Sequence, residues 1–109
     1  MTLQETLQLA AQKLKAGAPE EALAVLEPQR GLCAHAADFW QLLALAHKGM
    51  GDSAAAEAAF TSSIAIDPQP HVLTNLANLH RSLRQAETAL AYYDQALALA
   101  PDHLPAQIN

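Results

Sequence analysis

The chain has 109 residues, of which 51% are hydrophobic and 5% aromatic, and its formal net charge is −5. This length suits one domain, and the abundance of alanine favours closely packed helices over a core built from strands. The acidic balance argues against a general nucleic-acid binder or a binder of anionic membranes, because both need a cationic field.

Six helices are predicted from apolar residues at three- and four-residue spacing and from breaks at glycine and proline. Their ranges are 3–16, 19–28, 37–49, 53–66, 70–83 and 86–99. Asp52 and Ser53 are candidate N-terminal caps of the fourth helix. Gly17, Gly49 and Gly51 suit left-handed or open turns.

Pro28 interrupts the second predicted helix. Proline removes a backbone donor and disfavours helical geometry in the residue before it. We therefore expect this helix to stop near Glu27, and we expect residues 28–35 to form an irregular linker.

The helix pair at 37–69 is repeated along the chain. When the sequence of this pair is shifted forward by 33 residues, seven of its positions align with residues of the following pair. Six of the seven are identical or similar, and the seventh changes from Trp to Leu. The coinciding pairs are Trp40 and Leu73, Leu43 and Leu76, Ala44 and Ala77, His47 and His80, Ala56 and Ala89, Phe60 and Tyr93, and Pro68 and Pro101. Moved back by 34 residues, the match is weaker.

This periodicity predicts one domain of three repeats, at about 3–36, 37–69 and 70–102. Residues 103–109 resemble the start of a further repeat, which indicates a fragment of a longer protein. An apolar flank left uncapped on the last helix pair could then drive self-association.

The spacing W-x2-L-A-x2-H, followed by A-x3-F and P, resembles the tetratricopeptide repeat, and the resemblance spans residue 3 to the end. It implies an all-α fold in which about six helices form antiparallel pairs, stacked as a right-handed α-solenoid with a concave groove for peptides or protein segments. Alanines such as Ala44 and Ala56 would let the two helices of a pair approach closely.

In this family the groove is lined mainly by the first helix of each pair. The corresponding candidate residues are Gln41, Leu45, Lys48, Thr74, Asn75, Asn78, Arg81 and Lys15. Lys15, Lys48 and Arg81 would form a cationic row that binds an acidic side chain or a carboxylate. Alternatively, these three residues only complement the dipoles of their helices.

Asparagine side chains could clamp the backbone of a bound peptide, since each amide both donates and accepts. A solvated polar face explains Asn75 and Asn78 equally well. The carboxylate clamp of cochaperones requires lysine, asparagine and arginine at places that here hold Leu7, Ala11, Leu42, His71 and Asn75. We therefore reject binding to the C-terminal tail of a chaperone.

His47 and His80 occupy the place where the repeat usually has tyrosine, so we expect packed imidazoles rather than a metal site. Cys33, the single cysteine, cannot form an internal disulfide or a thiolate metal cage. We predict no catalytic residue, metal or cofactor, and a packing role for Tyr92 and Tyr93, with Tyr93 the more buried.

The sequence thus predicts a cytoplasmic, non-enzymatic scaffold that binds a protein or peptide partner, with an acidic partner favoured by the cationic row. No nucleic acid or membrane is expected among its partners. Two alternatives stay open. The chain could be the non-catalytic N-terminal arm of a larger bacterial enzyme, such as a transferase or hydroxylase, or it could be a module that assembles with copies of itself.

Overall fold

The computed structural model describes residues 2–100, and in this range it is helical with no strand. The helices are α1 Leu3–Lys15, α2 Pro19–Leu26, α3 Arg30–Cys33, α4 Ala37–Gly49, α5 Ser53–Ile66, α6 Pro70–Ser82 and α7 Ala86–Leu99. The six predicted helices are confirmed, with ends that differ by at most two residues. The expected further repeat at 103–109 lies outside the described residues.

The chain divides into two compact units, an N-terminal unit that ends at Ile66 and a C-terminal unit that begins at Asp67. The N-terminal unit contains α1 to α5 and therefore the first two predicted repeats. The C-terminal unit contains α6 and α7.

The N-terminal unit consists of helix pairs joined through α4. Helix α1 packs on α2, and α4 packs on α5 and also contacts α1 and α2. Phe39 and Phe60 are the largest fully buried side chains, while Ala44 and Ala56 are completely buried. Alanine has no bulk beyond Cβ, so these positions permit the close helix contact that the repeat pattern predicts.

The C-terminal unit repeats this arrangement with α6 packed on α7. Leu73, Leu76 and Ala77 of α6 are buried, as are Ala89 and Tyr93 of α7. The greater burial of Tyr93 relative to Tyr92 is confirmed.

The three helical hairpins turn in the same way. In each hairpin, the second residue after the end of the first helix has a positive φ. The values are 77° at Gly17, 81° at Gly51 and 62° at Arg84. At each turn the backbone N–H of this residue donates to the carbonyl of the residue three places earlier. The N–H of the next residue donates to the carbonyl five places before it. This is the Schellman pattern, which satisfies carbonyls at a helix C-terminus.

Two details of the predicted turns and linker are wrong. Gly49 does not form an open turn, because it is the last residue of α4. The segment after Pro28 is not irregular either. Helix α2 does end at Leu26, but a 3-10 turn over Glu27–Gln29 and the one-turn helix α3 follow directly, since Pro28 supplies the fixed φ that suits a first turn.

Candidate functional site

The predicted contact residues of the N-terminal unit lie on one stripe of α4 and at the end of α1. Gln41, Leu45 and Lys48 follow the spacing of four and three residues that places side chains on one helix face. Gln41 and Leu45 are half-buried, whereas Lys48 and Lys15 are exposed. Both lysines lie in the last turns of their helices, where they also complement the helix dipole.

In the C-terminal unit the predicted contact residues have different environments. Asn75 is half-buried, and Arg81 is exposed in the last turn of α6. Thr74 is only 4% exposed, and its hydroxyl donates to the carbonyl of Pro70 over 2.9 Å. The amide oxygen of Asn78 accepts a hydrogen bond from the hydroxyl of Tyr93. Thr74 and the oxygen of Asn78 therefore serve packing within the unit, which leaves Asn75 and Arg81 as its better candidates for contact.

The two repeat-related histidines have different neighbours. His80 is buried, its Nδ1 lies 2.5 Å from Oε1 of Gln85, and its ring stacks on Tyr92 with centroids 5.5 Å apart. His47 is half-buried, and its Nε2 lies 3.8 Å from a carboxylate oxygen of Glu27. Among residues 2–100, no group of three potential metal-ligating side chains comes together.

A pocket in the N-terminal unit was missed by the sequence analysis. It has a volume of about 360 Å³ and opens between the end of α2 and the helices α4 and α5. Its lining residues are Glu27, Arg30, Trp40, Leu43, His47, Ala55, Ala58, Ala59 and Ser62. Pro28 was the available signal, because it lies between Glu27 and Arg30, which line the pocket, and it interrupts the helix at this point.

Charged side chains form one wall of this pocket. The Glu27 carboxylate lies 3.6 Å from a guanidinium nitrogen of Arg30 and 3.8 Å from Nε2 of His47. The Arg30 guanidinium lies 5.2 Å from the centroid of the Trp40 ring, within the range of a cation–π interaction. Trp40 is held in place because its indole N–H donates to the carbonyl of Ala34 over 2.8 Å.

In the described part of the chain, no helix has the length and apolar character needed to cross a membrane. Comparison with curated proteins gives no match.

Solved structures with the same fold align with nearly the whole chain. MamA matches with a TM-score of 0.87 at 20% identity, covering 94% of this chain and 61% of MamA. The Yersinia enterocolitica type III secretion chaperone SycD, in complex with a peptide of the translocator YopD, has a TM-score of 0.84 at 19% identity, covering 93% of this chain and 78% of SycD.

A third structure is TTC0263, a thermophilic TPR protein of Thermus thermophilus, with a TM-score of 0.78 at 27% identity, covering 94% of this chain and 55% of that protein. The chain thus spans less than two thirds of MamA and of TTC0263. These likenesses confirm the all-α fold of the tetratricopeptide solenoid type.

Sequence profiles of the tetratricopeptide repeat match residues 37–70 and 70–103. The two matches coincide with the second and third predicted repeats, and together they cover more than half of the chain. The chain belongs to the tetratricopeptide repeat family.

Proposed function

We propose that this chain is a protein-interaction scaffold in which the first helix of each hairpin, α1 and α4 in the N-terminal unit and α6 in the C-terminal unit, carries residues that contact a peptide or protein segment. The observation that carries the proposal is the stripe of Gln41, Leu45 and Lys48 on α4. Helix α4 is packed against α1, α2 and α5 on its other sides. The stripe therefore belongs to a helix that is already ordered before any partner arrives.

A preformed helix lowers the entropic cost of binding on the side of the scaffold. Leu45 would supply apolar contact, Gln41 would hydrogen-bond the partner, and Lys48 would attract acidic groups. Asn75 and Arg81 would have the corresponding roles on α6. The peptide-bound SycD structure supports a protein partner, since that fold can hold a peptide.

A peptide-display library selected on the chain tests this proposal even though the partner is unidentified. We expect enriched peptides to contain acidic residues and to lose at least tenfold in affinity on Lys48→Glu combined with Arg81→Glu. Arg84→Glu is the matched control for each single reversal, because Arg84 is an exposed cation in the turn after α6. The double variant and the control should both have the helical content of the unchanged chain, as measured by circular dichroism.

A library that yields no binder would contradict the scaffold proposal. Binders that are insensitive to the charge reversal at Lys48 and Arg81 would contradict the role of the cationic residues. Testing Lys48→Glu and Arg81→Glu separately shows which of the two units contributes. Lys15→Glu extends the test to α1.

Self-association is a second candidate function. Leu83, Leu90 and Leu99 of the C-terminal unit are exposed by 42%, 51% and 51%. Sedimentation of the chain over a range of concentrations tests this function. A single species with the mass of one chain at all concentrations would contradict it, whereas a mass that grows with concentration would support it.

Non-catalytic binding is typical of this repeat family, and we propose no chemistry for the described residues. A role as the arm of a larger bacterial enzyme and a cytoplasmic location stay predictions. The sequence of the surrounding reading frame and microscopy of the tagged protein would test them.

A further inference from the structure

The pocket of the N-terminal unit lies beside the early end of helix α2, since Glu27 and Arg30 line it. Helix α2 has 8 residues, whereas the second helices of the other two hairpins, α5 and α7, have 14 each. Six residues of helix correspond to about 9 Å of length. Pro28 ends the helix early, and the chain continues through the short helix α3 while the pocket remains beside α4 and α5.

The pocket lies on a different face of α4 from the proposed contact stripe. Trp40, Leu43 and His47 line the pocket, whereas the stripe consists of Gln41, Leu45 and Lys48. At about 100° of rotation per residue, the mean directions of the two sets differ by roughly 130°. A ligand in the pocket therefore would not compete with a segment bound along the stripe.

We propose that this pocket binds one aromatic side chain with a hydrogen-bond donor, a tryptophan or a tyrosine, from a protein partner. The volume of about 360 Å³ exceeds the ~150 Å³ of a cavity that holds benzene. It therefore accommodates an indole or a phenol. Such side chains dominate the energetics of protein interfaces because they combine a large apolar body with a polar tip.

The apolar part of the pocket suits a flat ring. Leu43 and Ala59 are buried beneath it, and Ala55 and Ala58 extend the same surface toward solvent. Alanine side chains leave this floor of α5 flat. Trp40 also lines the pocket and offers a partner for aromatic packing, which adds to the gain from burying apolar area.

The polar wall suits a donor without a net charge. Glu27 lies 3.6 and 3.8 Å from its two basic neighbours, beyond the usual 2.7–3.2 Å of a hydrogen bond. Its oxygens can therefore accept an N–H or O–H of a ligand without losing a short hydrogen bond. The opposite charges of Glu27 and Arg30 lie close together and largely cancel for a third charge, so the wall favours neither a cation nor an anion and suits a neutral donor.

The surface next to the pocket indicates a protein as the source of the ring. Helix α3, which supplies Arg30, also carries Leu32, and this side chain is 74% exposed. A macromolecular partner that inserts an aromatic side chain would cover Leu32 at the same time. A free small molecule confined to the pocket would leave it in water.

Binding of simple probes, followed by NMR on the chain labelled with ¹⁵N, tests the proposal. We expect indole and 4-methylphenol to bind with a Kd on the order of 1 mM, as suits ligands of their size. The shifts should include the indole N–H of Trp40 and the amides of Ala58 and Ala59. Toluene, which has no donor, should bind several-fold more weakly.

Variants locate the binding site. Ala58→Phe should fill the pocket and abolish the saturable shifts, since Ala58 is exposed and tolerates a larger side chain. Ala91→Phe is the matched control, because exposed Ala91 lies at the same position one repeat later. Glu27→Gln should weaken indole several-fold without affecting toluene, and Glu20→Gln should change neither.

The outcomes separate this proposal from the one on the stripe. Lys48→Glu should leave indole binding unchanged. N-acetyltryptophanamide, whose ring is attached to a peptide backbone, should bind at least as tightly as free indole, and Leu32→Ala should weaken only a larger partner. Absence of saturable shifts up to about 10 mM indole, or equal binding by Ala58→Phe, would overturn the pocket proposal. Binding of free indole but not of N-acetyltryptophanamide would contradict the claim that the bound ring belongs to a protein partner.

Discussion

A Cβ atom placed on Gly49 would lie 2.8 Å from Cβ of Pro19, because the last turn of α4 passes directly against the first turn of α2. Real Cβ atoms do not come this close, and the proline ring cannot rotate away. Gly49 is thus needed for close approach and not for its φ. The shape of the N-terminal unit depends on this contact.

Gly49→Ala should therefore destabilise the chain. Because the clash is with a rigid ring, we expect overpacking in the upper part of the range of about 1–3 kcal/mol, which exceeds the ~1 kcal/mol that alanine gains over glycine in a helix. Gly31→Ala is the control, because its Cβ would meet nothing within 4 Å and the substitution should stabilise by about 0.4–1 kcal/mol. Urea unfolding measures both, and a stabilised Gly49→Ala protein would contradict the contact with Pro19.

Arg84 occupies, with φ of 62°, the turn position that Gly51 holds in the preceding repeat with φ of 81°. A side chain in this region costs about 1–2 kcal/mol, whereas glycine adopts it freely. Arg84→Gly should therefore raise the free energy of unfolding by roughly 1 kcal/mol, despite the greater entropy of the unfolded chain. Gly51→Ala should lower it. The melting temperatures of the two variants should shift in opposite directions. Equal shifts would contradict the claim that the backbone of Arg84 is strained.

Thr2 caps α1 through a capping box, since its hydroxyl accepts from the backbone N–H of Glu5 and its own N–H donates to the Glu5 carboxylate. Thr2→Ala should cost about 1 kcal/mol. Gln4→Ala, at an exposed position of the first turn, is the control. Chemical unfolding at neutral pH would give both values, and an unchanged Thr2→Ala protein would exclude a role for the cap.

The capping box also makes the stability of α1 depend on pH. Hydrogen bonds from the backbone N–H and the side chain of Thr2 lower the pKa of Glu5 below its ordinary 4.5. A carboxyl group whose pKa is lowered in the folded state contributes its full stabilisation of the fold at a pH above its ordinary pKa. This stabilisation is lost as the pH falls through the pKa of the folded state. The stability lost by Glu5→Gln should therefore shrink in acid. A loss that grows toward acid pH would have the wrong sign.

Ala56 is completely buried on the face of α5 that packs against α4. Ala56→Leu should cost about 1–3 kcal/mol, because the added side chain must push the two helices apart. Ala54→Leu, at an exposed position of the same helix, should be close to neutral. A melting temperature for Ala56→Leu within error of wild type would mean that the helix contact is loose at this point.

Part of the candidate site was predictable because it follows from helical periodicity. The stripe of Gln41, Leu45 and Lys48 requires only that α4 be a helix with its apolar side buried. Periodicity does not predict the environment of Thr74, which lies on the predicted face but is buried and hydrogen-bonded to Pro70. Asn78 likewise binds Tyr93 of the facing helix, a pairing that periodicity along one helix does not reveal.

The sequence by itself determined the helices, their pairing and the family, because apolar spacing, alanine positions and the 33-residue interval are local properties repeated along the chain. Only the tertiary structure decided what lies beside the early end of α2. Shortening α2 brings Glu27 and Arg30 beside Trp40 and His47, which are distant in sequence, and opens a pocket between them. A pocket forms where the side chains of several helices leave a space between them, and this depends on how those helices pack together.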